Sequence, residues 1–300
     1  MSNVPAGYKQ TEVGVIPEDW TIHSVQDLLD NDLIVGHLDG NHGALYPRSE
    51  EFKHFGVPYI TANDFGNHKV SFQNCKFLSE ARAKRFRKGI SINGDVLFAH
   101  NATVGPVALL ETNLEYVILS TTATYFRCNL EKLSNAFVLY LLQSSLFVRQ
   151  YSAVMSQSTR NQVPITAQRK LTVALPPTKA EQEAIAEALS DTDGLIASLE
   201  QLITKKRHLK QGAMQELLTG KKRLPGFSGE WEEKKVKQFG EIVTGGTPLT
   251  GINEFWNGEI PWVTPTDISD KKDIYTSERQ ITALGLSSIR KLPSNSVLIT

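Results

Sequence analysis

The sequence is poor in cysteine and has no long apolar run. Its 300 residues include two cysteines, Cys75 and Cys128, which do not form a CxxC pair. This count excludes a disulfide framework and fits a reducing compartment. No stretch reaches the ~18 apolar residues of a membrane helix, and the N-terminal MSNVPAGYKQ lacks the basic and then apolar order of a signal peptide. We therefore expect a cytoplasmic protein with two buried free thiols and no membrane segment.

Motifs for catalysis and cofactor binding are also missing. The seven histidines are scattered, and none lies in an HExxH motif or in a Cys/His ligand spacing. There is no GxGxxG loop, no Walker GxxxxGK[ST] and no GxSxG elbow, and the glycine-rich VTGGTPLTG has no following lysine. We therefore predict no catalytic residue and no metal ligand, and we expect this chain to bind no cofactor itself.

Charge is balanced over the whole chain but concentrated in one segment. The 32 basic and 32 acidic side chains give a net charge of zero, which does not indicate a nucleic-acid-binding protein. The segment ARAKRFRKG, however, carries five basic side chains: Arg82, Lys84, Arg85, Arg87 and Lys88. A cluster of this kind can hold phosphate groups, and the alternative is an ordinary solvated surface.

Four short motifs occur twice, in one order, about 200 residues apart. Trp20 matches Trp231, VPYITANDF (57–65) matches IPWVTPTDI (260–268), FLSE (77–80) matches YTSE (275–278), and NGDVLFA (93–99) matches SNSVLIT (294–300). The spacing between motifs differs slightly from copy to copy, as expected when a framework is kept and its loops vary. We infer two homologous domains that perform one task on two targets.

The shared motifs indicate framework rather than a binding site. We expect Tyr59 and Trp262 to lie in the core, and Asp64 and Asp267 to close a strand as turn or cap residues. Thr300 aligns with Ala99, inside a strand-like run, so we expect that roughly 120 further residues would complete the second domain and that the chain is truncated there.

A long amphipathic helix is predicted between the two copies, over 178–219. Thr178 and Glu181 have the spacing of a capping box, and Gly194 could kink the helix. At 1.5 Å per residue the helix would extend about 60 Å, and a helix of that length needs a partner. Its apolar residues recur three and four apart, as in a coiled coil, and form the predicted subunit interface: Ile185, Leu189, Ile196, Leu199, Ile203 and Leu217.

The remaining pattern predicts an α+β fold. Strands are expected over 57–62, 95–99, 104–110, 116–127 and 171–175. A helix is expected over 134–151, capped by Ser134 and with four residues facing inward, namely Phe137, Leu141, Leu142 and Val148. The expected order is a first domain (1–176), a central helix (177–220) and the N-terminal part of a second domain (221–300).

Polar loops carry the side chains that are best suited to hydrogen bonding with base edges. Arginine pairs with guanine, and asparagine or glutamine with adenine, in the major groove. Any one of these loops could be ordinary polar surface, but together with the basic cluster they favour DNA. The candidate DNA-binding residues are Asn41, His42 and Arg48; Arg82, Lys84 and Arg85; His100, Asn101 and Thr103; and Gln157, Thr159, Arg160, Asn161 and Gln162.

The chain resembles the specificity subunit of type I DNA restriction–modification systems. The resemblance covers nearly the whole sequence and rests on several segments: GVIPEDWTIHSVQDLL, PYITANDF, GDVLFAH, LPPTKAEQEAIAEAL, LKQGAMQELLTGKKRLPGFSGEWEEKKV and GGTPLTGINEFWNGEIPWVTPTDI. It implies target recognition domains that each read one half of a split site in double-stranded DNA. It also implies central helices that pair antiparallel, space the two halves and dock two methyltransferase subunits.

The same resemblance implies that chemistry resides on partner subunits. S-adenosylmethionine would be bound by the methyltransferase subunits, whereas ATP and magnesium would be used by restriction subunits. Without its partner helix, the central helix is expected to self-associate. Two alternatives stay open at this stage. One is a protein-interaction scaffold with two α+β domains on a coiled-coil arm, and the other is an enzyme, which saturable S-adenosylmethionine binding by the isolated chain would support.

Overall fold

A computed structural model describes residues 4–40, 45–157, 159–269 and 273–300. The chain divides into two compact units, Met1–Lys210 and Gln211–Thr300. The first unit contains the predicted first domain and most of the long helix. Among the described residues, no helix combines the length and the apolar character that a membrane span requires.

The first unit is mixed α and β, which confirms the predicted fold class. Its strands are β1 (Tyr8–Thr11), β2 (Gly14–Pro17), β3 (Thr21–Ser24), β4 (Ile34–Asp39), β5 (Phe52–Lys53), β6 (Val57–Ile60), β7 (Phe65–Gly66), β8 (Lys69–Val70), β9 (Lys76–Leu78), β10 (Ile90–Ser91), β11 (Val96–Asn101), β12 (Thr103–Leu109), β13 (Val117–Leu119), β14 (Ala123–Cys128) and β15 (Thr172–Leu175). Its helices are α1 (Val25–Asp30), α2 (Glu80–Ala83), α3 (Asn135–Leu141), α4 (Ser145–Ser156), α5 (Ile165–Gln168) and α6 (Lys179–Leu217).

Two sheets form the centre of this unit. The larger has the strand order β4-β14-β11-β12-β8-β7 and the smaller has the order β10-β13-β6-β9-β5. The central strand β11 is buried on both faces, and its residues Val96–Ala99 are 0% exposed. Leu97 belongs to an apolar cluster shared with Ile60 and Leu119 of the smaller sheet, whereas Phe98 packs with Phe147 of α4. The first unit is therefore layered as helices, large sheet and small sheet.

Two predicted elements are each split in the structure. The run 116–127 forms β13 and β14, which lie in different sheets. They are separated by a turn in which Thr122 N donates to Ser120 Oγ at 3.2 Å, a local bond that competes with strand pairing. The predicted helix 134–151 forms α3 and α4, because Ser144 Oγ accepts from Phe147 N at 3.3 Å and starts a new helix.

The residues expected on the inner face of these two helices are covered to different degrees. Phe137 and Leu142 are buried, whereas Leu141 and Val148 are half-buried against the same core. Ser134 caps α3 as predicted, since its side chain accepts from Phe137 N. Both cysteines are buried and free, and burial raises the pKa of Cys128 to about 12. The expectation of buried free thiols is therefore confirmed.

The long helix α6 is confirmed close to its predicted ends. Thr178 Oγ1 accepts from Glu181 N at 3.2 Å, which satisfies one of the free amide groups at the helix start. Gly194 lies inside the continuous helix and does not divide it. Packing against the rest of the first unit is closest near the start of α6, where Gln182 and Ala186 are each 3% exposed, and it extends as far as the half-buried Asp193.

The second unit repeats the framework motif of the first. After the end of α6, its strands and α-helix among the described residues are β16 (Trp256–Trp262), β17 (Arg279–Ile281) and α7 (Ala283–Ser287). Asp267 Oδ2 accepts from Thr264 N at 2.8 Å and from Thr264 Oγ1 at 2.7 Å. Asp64 Oδ2 makes the same two bonds with Thr61, at 2.7 and 2.8 Å. Both aspartates are therefore cap residues, as expected.

The two framework aromatics differ in burial. Tyr59 is 2% exposed and lies in the core as predicted. Trp262 is half-buried, and its prediction as a core residue is wrong. Its ring packs on Trp256 at 5.0 Å and faces the Arg279 guanidinium at 4.9 Å, while Trp256 takes the buried position. The strand-like run 294–300 forms no strand, because no ladder partner lies beside it within the described part of the second unit.

Candidate nucleic-acid interface

Several chain turns meet at one edge of the large sheet. Strand β4 ends there, β14 begins there, and the turn from β11 to β12 lies on the other side of β14, because Asp39 pairs with Thr124 and Ala99 pairs with Ala123. We call this the loop edge. It comprises residues 39–40, 100–103, 120–122 and 159–162.

The loop edge brings two of the predicted loops together. Ala102, at the tip of the β11–β12 hairpin, has a φ of +64° and donates its amide to Asn161 O at 2.9 Å. Val163 N donates to His100 O at 2.8 Å, and Asn101 forms an isolated bridge with Gln162. The two loops, 100–103 and 159–162, are therefore adjacent in space. They are more than fifty residues apart in sequence.

The candidate side chains of these two loops differ in exposure. Thr103, Thr159, Arg160 and Asn161 are exposed, as is Gln157 at the end of α4. Asn101 and Gln162 are half-buried, and Asn101 Nδ2 donates to Thr121 O at 3.4 Å. His100 is 5% exposed, so its imidazole belongs to the interior of the loop edge rather than to its surface.

A buried polar network supports the loop edge from below. Gln168 is fully buried, and its amide nitrogen donates to Val163 O at 2.8 Å and to Thr124 Oγ1 at 3.1 Å. Its oxygen lies 3.1 Å from His37 Nε2. Burial lowers the pKa of His37 to about 4, against a smaller opposing effect of the Gln168 bond. The neutral His37 and Gln168 thus connect Val163, at the end of segment 159–163, to the sheet by hydrogen bonds. No local sequence pattern indicates this role.

The framework motif also reaches the loop edge. Ser120 N donates to Ile60 O at 2.8 Å, and Ala62 N donates to Thr122 Oγ1 at 3.0 Å. The repeated motif 57–65 therefore supports the turn 120–122 through its backbone, while the side chains of Tyr59, Ile60 and Ala62 are buried in the core.

The basic segment divides into one structural residue and an exposed remainder. Arg82 is 9% exposed; its Nε bonds Glu51, its Nη2 donates to Leu45 O at 2.8 Å, and its guanidinium lies 4.8 Å from the Phe86 ring. Arg82 therefore forms a structural ion pair with Glu51, and its prediction as a DNA-binding residue is not supported by its position. Lys84 and Arg85 are exposed.

The exposed basic segment leads directly to the loop edge. Phe86 is 3% exposed and anchors the segment in a small core. Gly89, at its end, has a φ of +62°, and a Cβ built there would lie 2.7 Å from Gly40 Cα. The two backbones are thus in close contact, which places the positive charge of residues 84–88 beside residues 39–40.

The remaining loop candidates lie partly beyond the described residues. Asn41 and His42 fall outside them. Arg48 is exposed, and its backbone amide donates to Glu51 Oε2 at 2.7 Å. That bond, followed by the bond from Arg82, lowers the pKa of the Glu51 carboxyl. Glu51 therefore stays ionised and holds the segment after Arg48 against α2.

The predicted helix stripe is largely exposed. Leu189, Ile196, Leu199 and Ile203 are between 41% and 51% exposed. Ile185 instead packs on the core of the first unit, and Leu217 is half-buried, so neither offers a free surface. The predicted stripe did not include four other exposed apolar residues of α6, namely Leu195, Leu202, Leu209 and Met214.

The loop edge offers hydrogen-bonding groups, and the neighbouring segment 84–88 adds positive charge. Within the described ranges, no group of three or more His, Cys, Asp or Glu side chains could hold a metal ion. The exposed side chains there include the Arg160 guanidinium, the hydroxyls of Thr103 and Thr159 and the amide of Asn161, and the exposed amide of Gln157 lies nearby in sequence. These are donors and acceptors of the kind that read base edges.

Comparison with known families identifies the chain. Residues 17–206 match the family described as the type I restriction modification DNA specificity domain. The chain belongs to this family.

Relatives and solved structures agree with this assignment. A putative specificity subunit of the type I restriction enzyme MjaX from Methanocaldococcus jannaschii is 28% identical over 244 residues, covering 78% of this chain and 52% of the relative. The specificity subunit of EcoR124I/EcoR124II from Escherichia coli is 30% identical over 142 residues, covering 44% of this chain and 33% of the relative.

A structural neighbour matches the fold. A chain from a structure described as the basis of complex assembly and conformational transition of the type I R-M system aligns with a TM-score of 0.50 and 17% identity. The alignment covers 67% of this chain and 46% of that chain, and it shows the fold alone. The chain thus spans about half the length of MjaX and of this neighbour.

Proposed function

We propose that this chain is a sequence-specific DNA-recognition subunit of a type I restriction–modification complex and is not itself an enzyme. The observation that carries the proposal is the loop edge, where the exposed side chains of Thr103, Arg160 and Asn161 lie together beside a positive segment. Family membership supports it, because the relatives are named as specificity subunits. The site of action would be the cytoplasm, where host DNA is found.

The exposed groups divide naturally into two roles. Arg160, Asn161 and Thr159 would contact base edges, and Thr103 and Gln157 extend the same surface. Lys84, Arg85 and Arg48 would contact phosphates, which gives affinity and register without sequence information. Asn41 and His42 remain candidates by sequence. His100, Asn101 and Gln162 would act by holding the two loops in place.

The two-unit organisation supports reading of a bipartite site. Each recognition domain would read one half, and α6 would space the halves and dock two methyltransferase subunits through its exposed apolar stripe. S-adenosylmethionine would then be bound by those subunits, and ATP and magnesium by restriction subunits of the same assembly. Half-site spacing set by protein geometry is a general device in DNA recognition.

Substitution of Arg160 tests the assignment of base reading. In the assembled complex, Arg160→Ala should lose about 1–3 kcal/mol of discrimination at one base position. Arg160→Lys should lose much of the same discrimination, because lysine keeps the charge but not the planar fork.

Substitution of the basic segment tests the assignment of phosphate contacts. Lys84→Ala and Arg85→Ala should each weaken binding to all sequences alike and reduce the slope of the salt dependence by about 1. Arg149→Ala, an exposed arginine on α4, is the matched control. If the Arg160 and Lys84 variants bind DNA as the wild type does, the interface is wrongly placed.

The exposed stripe favours one second candidate, a protein-interaction scaffold without DNA binding. It predicts that the complex binds DNA with unchanged affinity when all the exposed loop-edge residues are replaced. Co-purification with a DNA methyltransferase would favour the first function over this one.

A further inference from the structure

Three polar side chains join the long helix to the first unit at a single point. Tyr140 Oη donates to Asp193 Oδ2 at 2.8 Å, and His68 Nδ1 lies 3.1 Å from the same oxygen. The His68 ring meets the Tyr140 ring edge-on, with centroids 5.6 Å apart. The three residues come from the β7–β8 turn, α3 and α6, and together they form what we call the latch.

The latch is the last point at which α6 is covered by the first unit. Between residues 187 and 210, every helix residue is exposed except Asp193, which is half-buried. Gly194 follows at once and has open space around it. Glycine lowers helix stability by about 1 kcal/mol relative to alanine, so the helix is weakened directly after the latch.

The β7–β8 turn holds His68 in an unusual conformation. Asn67 and His68 both have positive φ, +49° and +62°, a conformation that costs non-glycine residues energy. The turn is also fixed to the large sheet, since Leu109 N donates to His68 O at 2.8 Å. Strained backbone that the surrounding structure maintains is a feature from which function can be inferred.

We propose that His68, Tyr140 and Asp193 fix the direction in which α6 leaves the recognition domain, and thereby the spacing between the two half-sites. The second part rests on the proposed function. From Asp193 to Leu217 the helix runs about 36 Å, so a change of about 10° in its direction would move its far end by about 6 Å. That displacement is close to two base-pair steps of about 3.4 Å each. The three are positioning residues, and none of them is assigned to the DNA surface.

The direction of the helix can be measured without DNA. Spin labels at Gln201 on the exposed helix and at Glu131 on the first unit would report the distance between them in the full chain, since both native cysteines are buried. Tyr140→Phe removes one hydroxyl, His68→Asn keeps a residue tolerant of positive φ, and Asp193→Ala removes the shared acceptor. Each should broaden the distance distribution. Asp191→Ala, an exposed aspartate on the same helix, should leave it unchanged.

The outcomes separate the latch from the DNA role. If the latch variants show the same distance distribution as the wild type, the proposal is overturned. If Asp191→Ala broadens the distance distribution as well, the proposal is also overturned, because the broadening would then reflect a general loss of helix.

The role in spacing is tested on DNA. The assembled wild-type complex should bind one spacer length at least tenfold more tightly than lengths one base pair longer or shorter. Latch variants should reduce that preference below threefold while still recognising the same bases in each half-site. Broadened distances with an unchanged spacer preference would overturn the role in spacing, and a complex that binds no DNA would instead refute the proposed function.

Discussion

At the scale of single residues, the two units share side-chain contacts even where their loops differ. The Thr–Asp cap recurs at 61–64 and 264–267. A cation also lies over an aromatic ring in each copy, with Lys76 4.7 Å from the Phe52 centroid and Arg279 3.8 Å from that of Trp256. Lys76 pairs with Tyr59 and Arg279 pairs with Trp262, so the counterpart of β9 is β17, and the match of FLSE with YTSE is wrong. Contacts kept between domains that would read different bases belong to the framework, so base reading falls to residues where the copies diverge.

One residue-scale prediction concerns the buried His37. Its folded-state pKa is about 4, below the ordinary 6.5, so the unfolded chain takes up a proton more readily than the folded one as the pH falls. Its contribution to the free energy of unfolding is therefore fully present above pH 6.5 and is lost towards pH 4, by about 3 kcal/mol at most.

Urea unfolding at several pH values measures this effect. His37→Gln cannot titrate, so its free energy of unfolding should fall less steeply between pH 6.5 and 4 than that of the wild type. His54→Gln, at an exposed histidine, should keep the wild-type slope. An equal slope for His37→Gln and the wild type would mean that His37 is not buried in its neutral form.

At the scale of elements, patterns along the sequence were informative where one element extends over many residues. The helix expected over 178–219 is observed as Lys179–Leu217, because its capping and its apolar spacing are local signals. The division of 116–127 into two strands was not predicted, since it depends on hydrogen bonds of Ser120 and Thr122 in a turn between sheets. Likewise, Arg82 resembles its basic neighbours in sequence, and only packing reveals its pair with Glu51.

An element-scale prediction concerns the exposed stripe of α6. Burial of an exposed leucine stabilises association by roughly 1.5–3 kcal/mol, so a stripe of this length favours pairing with another helix. We expect the purified chain to self-associate in the micromolar range when no methyltransferase subunit is present.

Analytical ultracentrifugation tests this expectation. The double variant Leu199→Glu and Ile203→Glu should shift the chain towards monomer and should also weaken assembly with the methyltransferase subunit. Gln201→Glu together with Thr204→Glu adds the same charge at exposed polar positions and serves as the control. A folded wild-type chain that remains monomeric at all concentrations would contradict the account of this surface.

At the scale of the whole molecule, the sequence revealed the family and the repeat, whereas the assembled surface required three dimensions. The polar loops 99–105 and 155–166 were recognised by composition, but their contact through Ala102 and Asn161 could not be predicted from either loop. The Gln168 network and the latch were also missed, because buried glutamine and surface tyrosine carry no distinctive local pattern. Long-range placement by the two sheets therefore supplies what residue types alone could not.

The central claim is that this chain determines which DNA sequence its complex modifies. The most direct measurement is a map of methylated adenines in the DNA of cells that produce the chain together with its methyltransferase partner. We predict that the methylated sites share a two-part sequence with a fixed gap, and that Arg160→Ala relaxes one base position in one half while the other half is unchanged. A methylation map that stays the same when Arg160 is replaced and when the chain is deleted would contradict the account.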